Sequence, residues 1–164
     1  GWASKKWALN LAIQKAKGDV ILQTDSDCII RKNWISAMVN EFHQDNVGFT
    51  CGSSPLISYN NEILSSFFKL DSLSTDAFAA GCINYSFPLT CTGRNMGFLK
   101  RAFEDVSGYD GISDIPSGDD DLLLHRLYYK VKSKQNYNLC FDFTKSNLFS
   151  LLELQISSTS ICIF

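Results

Sequence analysis

The sequence has no C-x-x-C pair, and neither of its two histidines sits at zinc-ligand spacing from a cysteine, so no structural zinc motif can be read from it. It has no surplus of basic charge. Fifteen Lys and Arg stand against 17 Asp and Glu for a formal charge of −2, and the basic residues are scattered rather than striped, which argues against nucleic acid as a partner. No unbroken apolar run reaches the roughly 20 residues that a membrane span needs. The most apolar segment, residues 145–164, is broken by Ser157-Ser158-Thr159-Ser160. There is also no internal repeat, and no linker long enough to divide the chain. The six cysteines (Cys28, Cys51, Cys82, Cys91, Cys140 and Cys162) lie far apart and read as reduced, mostly buried thiols with no disulfide partner implied. Asn84-Tyr85-Ser86 matches a glycosylation acceptor, but with no signal peptide in view a cytosolic setting is the simpler reading.

What is present is a globular chain of about one domain: 164 residues, 45% hydrophobic and 20% charged, enough to bury a core. Ala8, Leu11, Ala12 and Ala16 recur at helical spacing, with Ser4 able to cap a helix and Gly18 placed to stop it. Val20-Ile21-Leu22 is an unalternated apolar run, as in strands buried on both faces. Asn33 could cap a second helix striped by Trp34, Ile35, Met38, Val39 and Phe42, and Val47 to Cys51 reads as a further strand. The pattern predicts an α/β fold. A dense apolar helix over 62–78 is expected to pack on both sides. A strand is then expected over 87–92, a turn over 93–97, a short helix over 100–106 ending at Gly108, and a last helix opened by Ser117 that carries Leu122, Leu123, Leu124 and Leu127.

Two acidic groups carry the chemistry. In an extended segment residues i and i+2 point the same way, so Asp25 and Asp27 could present two oxygens to one hard cation, Mg2+ or Mn2+. The structural alternative is an Asx-type turn at a strand end. Asp119, Asp120 and Asp121 could be acids favoured at a helix start behind a Ser117 cap, or a cluster in which one carboxylate must accept a proton. His43 and His125 read as ordinary helix residues, and Trp7 and Trp34 as packing.

Lys6-Trp7-Ala8-Leu9-Asn10, Gly18-Asp19-Val20-Ile21, Asp25-Ser26-Asp27, Thr92-Gly93-Arg94-Asn95 and Asp119-Asp120 before a leucine-rich helix occur in the order found in family 2 glycosyltransferases, and from about Lys5 to Leu127 the chain resembles them. The resemblance implies a partial GT-A fold, Rossmann-like, with a mixed sheet and flanking helices. It implies transfer of a sugar, with inversion, from a nucleotide-diphosphate sugar to a sugar or lipid-linked acceptor. By that analogy Asp25 and Asp27 serve the metal and donor, Asp27 being the favoured direct ligand. Lys6 and Asn10 lie near the nucleotide, and Thr92, Gly93, Arg94 and Asn95 lie at the acceptor side. Asp120 is the general base, with Asp119 and Asp121 close enough in sequence to blur the assignment.

The family's first strand and acidic loop would precede Lys6, and its Q-x-x-R-W segment has no counterpart after Gln155, where Ile156-Ser157-Ser158-Thr159 follows. Residues 1–144 are therefore expected to form a partial transferase domain, and 145–164 an atypical apolar tail, truncated or frame-shifted. The family implies a full-length protein at the cytoplasmic face of a membrane. The alternatives are a haloacid dehalogenase-like phosphatase, sharing only Asp25 and Asp27, and an inactive remnant that binds metal and diphosphate.

Overall fold

The computed structural model describes residues 1, 3–44, 46–56, 62–132, 138–142 and 161–163. Along the chain run α1 (Ser4–Lys15), β1 (Val20–Gln23), α2 (Trp34–Glu41), β2 (Val47–Gly52), α3 (Glu62–Asn84), β3 (Met96–Leu99), α4 (Lys100–Asp105), α5 (Asp119–Lys132), β4 (Asn138–Asp142) and β5 (Ile161–Ile163). The sheet order is β4-β2-β3-β1-β5. Its centre is antiparallel, with β3 between β1 and β2, while β4 and β5 add parallel strands outside them. The fold is thus mixed α/β.

β1 is buried at every position, as its unalternated apolar run requires. α2 follows its stripe: Trp34, Met38 and Val39 are buried, and Ile35 and Phe42 pack against the same core. Leu123, Leu124 and Leu127 of α5 close that core from another side. Each fully buried leucine contributes about 1.5–3 kcal/mol relative to exposure.

Several expectations are corrected. α1 begins at Ser4, behind Ala3, with no side-chain cap, and it buries Lys6 and Ile13 rather than the Ala8 and Leu11 face. Residues 87–92 form no strand; the strand is β3, which starts at Met96, within the last two residues of the passage expected to turn, and runs on to Leu99. Gly97 lies within β3 because a Cβ there would stand 2.7 Å from Leu22 Cδ2 and 3.3 Å from Thr50 Cγ2, so it serves close packing, not a turn. α3 does not pack on both sides: Ile63 is 83% exposed and Leu70 69%, while Ser72, Asp76, Ala79, Ala80 and Ile83 face inward.

The membrane-associated reading is corrected to this extent: among the described residues no helix is long and apolar enough to cross a membrane. α3 has the length, at 23 residues, but Lys69, Asp71, Asp76 and its serines interrupt it. Of the apolar tail, Ile161–Ile163 joins the sheet as β5; residues 143–160, including most of that tail, lie outside the described residues. Cys28, Cys51, Cys82 and Cys91 are free thiols.

Candidate active site

β1 delivers Asp25 to the rim of a cleft of about 350 Å³, lined also by Lys5, Thr92, Gly93, Arg94 and Asp120 and walled by one face of α3. The backbone after Asp25 turns at once, Cys28 N–H donating to Asp25 O at 3.1 Å. The segment is therefore not extended, and the shared direction expected of residues i and i+2 is lost. Asp27 is exposed on this turn and does not line the cleft.

Thr92 to Asn95 forms a β-turn closed by Asn95 N–H to Thr92 O at 3.2 Å. Thr92, Gly93 and Arg94 face the cleft, but Asn95 is fully buried. Its Oδ1 accepts from Trp34 Nε1 at 2.9 Å, and its Nδ2 donates to Ser53 O at 2.9 Å. Asn95 thereby ties α2, the end of β2 and the start of β3 together, and its amide is spent in the core. Gly93 allows a close approach: a Cβ there would stand 3.0 Å from Asp120 Oδ2 and 3.4 Å from Asp120 Cβ.

The three aspartates of α5 divide their tasks. Asp119 is buried and pairs with Lys5, Nζ to Oδ1 at 3.1 Å. Asp120 lines the cleft; its Oδ2 accepts from Gly93 N–H and its Oδ1 from Asp121 N–H, each at 2.9 Å. Asp121 Oδ1 accepts from Cys91 N–H at 2.9 Å, anchoring the segment before the turn.

α1 supplies two lysines with opposite fates. Lys6 is 1% exposed, and its Nζ donates to Ile115 O at 2.6 Å and Ser117 O at 3.0 Å, so it holds the loop that leads into α5. Lys5, not Lys6, reaches the cleft. Burial works to lower the Lys5 pKa, but the hydrogen bond and charge of Asp119, with Asp25 and Asp120 beyond, outweigh it and raise the ammonium's value. Asn10 lies beside the turn at Gly108, where a Cβ would stand 3.3 Å from its Oδ1, and does not line the cleft.

Burial, with Cys51 and the three aspartates nearby, pushes the Cys91 thiol well above its ordinary value, so it stays protonated and is no nucleophile. Burial likewise raises the Tyr109 hydroxyl, helped by Asp119, Asp120 and Cys91. The residues that sequence reasoning missed are on α3: Asp71, Ser72, Thr75 and Asp76 form the cleft's opposite wall. Their signal was a polar i, i+4 double stripe inside an otherwise apolar helix.

Among the described residues no three or more His, Cys, Asp or Glu are grouped to hold a metal ion. Those residues form no closed protein cage. The carboxylate of Asp25, at a strand end on the cleft, fits a magnesium- or manganese-type ion completed by substrate phosphates and water.

No curated protein matches the chain. The model of glycosyl transferase family 2 matches residues 2–106, which takes in α1 to α4, Asp25 and the Thr92–Asn95 turn and stops short of the aspartates of α5. The phosphatase alternative shared two residues with the chain, whereas this match spans well over half of it: the chain belongs to glycosyl transferase family 2.

Proposed function

We propose that the cleft moves a sugar from a nucleotide-diphosphate sugar to an acceptor hydroxyl, with inversion at the anomeric carbon, on a partial GT-A fold. What supports this most is that Asp120, alone among the three aspartates of α5, lines the cleft that Asp25 also lines. In direct displacement the acceptor oxygen bonds to the anomeric carbon as the bond from that carbon to the diphosphate breaks. The bonding pair leaves with the diphosphate, and the acceptor's proton passes to a base.

Asp120 is that base. Each of its oxygens accepts one backbone N–H, which fixes the carboxylate's orientation and leaves lone pairs for the incoming hydroxyl. Lys5 and Arg94 supply positive charge to the cleft, where the departing diphosphate needs it. Arg94 Nε is buried with no partner among the described residues, a donor suited to a phosphate oxygen. A magnesium or manganese ion held by Asp25 with the donor's phosphates and water would neutralise the departing diphosphate.

The test is release of nucleoside diphosphate from a panel of uridine-, guanosine- and thymidine-diphosphate sugars. Asp120→Asn is expected to lower turnover by about 10²-fold or more, the usual worth of a positioned base. Turnover within about twofold of the parent overturns the assignment. Diphosphate binding with no turnover from any donor would favour the inactive remnant instead.

A further inference from the structure

The cleft wall opposite Asp120 is built from two adjacent i, i+4 pairs on α3, and the pairs do different things. Ser72 and Asp76 are buried and committed. Ser72 Oγ accepts from Leu56 N–H at 3.1 Å, while Asp76 Oδ2 accepts from Ser53 Oγ at 2.6 Å and Ser54 N–H at 3.0 Å. They lock α3 to the segment after β2 and make the wall rigid. Asp71 and Thr75 stand beside them, exposed and lining the cleft. The Thr75 hydroxyl hydrogen is spent on Asp71 O at 3.1 Å, so its oxygen offers lone pairs only. The Asp71 carboxylate has no hydrogen-bond partner among the described residues and is likewise acceptor-only. Next to them, half-exposed Leu56 and buried Ala79 give a small apolar surface.

This wall therefore asks for a ligand with several hydrogen-bond donors and an apolar face, and it repels negative charge. Among the described residues the cleft's two cations, Lys5 and Arg94, come from α1 and from the Thr92–Asn95 turn, whereas every charge that α3 adds to the lining is a carboxylate. An anion placed against it would face Asp71 and Asp76 unpaired, an arrangement that costs affinity. Resting on the transfer reading, we propose that this wall is the acceptor subsite and that the acceptor is a neutral polyhydroxylated compound, a glycoside, whose hydroxyls donate to Asp71 and Thr75 while its C–H face rests on Leu56.

The experiment is saturation-transfer NMR on the whole chain with methyl glycosides of glucose, galactose and mannose, and with glucuronate and glucose 1-phosphate as anionic probes. At least one neutral glycoside is expected to bind, and Asp71→Ala to weaken it about tenfold, the worth of a hydrogen bond to a charged group. Thr75→Val should weaken it less. The inference is overturned if an anionic sugar binds more tightly than every neutral one, if no neutral glycoside binds, or if folded Asp71→Ala binds like the parent. Manganese-dependent nucleoside diphosphate binding, and its loss in Asp25→Asn, tests the transfer reading separately. Should that fail while glycoside binding still depends on Asp71, transfer falls and the carbohydrate subsite stands.

Discussion

At the scale of single residues, the candidate base is held by a glycine that has almost no room to change. A Cβ on Gly93 would press on Asp120 at 3.0 and 3.4 Å, so Gly93→Ala must push the carboxylate by a few tenths of an ångström or more. Small misplacements of reacting groups carry large kinetic costs, so turnover is expected to fall about tenfold or more, with the melting temperature little changed. Equal activity in parent and variant would mean that Asp120 is not held through this contact. Lys5 makes a different kind of claim. Its side chain is 55% exposed and that of Asp119 8%, so the pair's own attraction is screened and worth less than about 1 kcal/mol. Lys5→Met nevertheless strands a buried carboxylate, at a cost of about 1–3 kcal/mol by urea denaturation. Because the Lys5 pKa is raised in the folded state, this contribution is fully present below the unfolded value of roughly 10.4 and is lost as pH rises through the folded one. The gap between parent and variant should thus hold from pH 7 to about 10 and shrink above it. A gap that stays constant beyond that range would point away from the ammonium.

At the scale of elements, α1 shows why a motif lysine can be misread. Lys6 was expected at the nucleotide, but its ammonium bridges the carbonyls of Ile115 and Ser117 and so fixes where α5 begins. Lys6→Met is expected to destabilise the chain by about 1.5–3 kcal/mol, since the carbonyls of Ile115 and Ser117 lose their charged donor. A donor-binding lysine would instead alter KM and leave the unfolding midpoint in place. β1, α2 and the leucine face of α5 were legible because their patterns are local: an apolar run, a 3.6-residue stripe and a leucine cluster. Asn95 was not, because its partners Trp34 and Ser53 stand 61 and 42 residues away in sequence. The apolar density of α3 suggested packing on both sides, but density cannot say which face is covered. Here the polar stripe turns inward because Ser72 and Asp76 find backbone and hydroxyl partners. Asp25 was legible as the end of a buried strand, while the divergence of Asp27 depended on a turn that the D-x-D spacing does not encode.

At the scale of the whole molecule, the sheet links the far end of the chain to the cleft. β1 is held on one side by β3 and on the other by β5, Val20 pairing with Ile161 and Leu22 with Ile163, and it ends two residues before Asp25. Removing residues 161–164 takes away that second partner and turns β1 into an edge strand, whose unpaired N–H and C=O groups template association with other chains. Two effects should then appear together in the truncated chain. Its melting temperature should fall and light scattering should rise with concentration. Nucleoside diphosphate binding should weaken as well, because fraying at the end of β1 moves the carboxylate that the cleft depends on. A truncated chain that is less stable yet binds diphosphate as the parent does would separate Asp25 from the sheet edge. One that keeps both properties would show that β3 alone sets the course of β1.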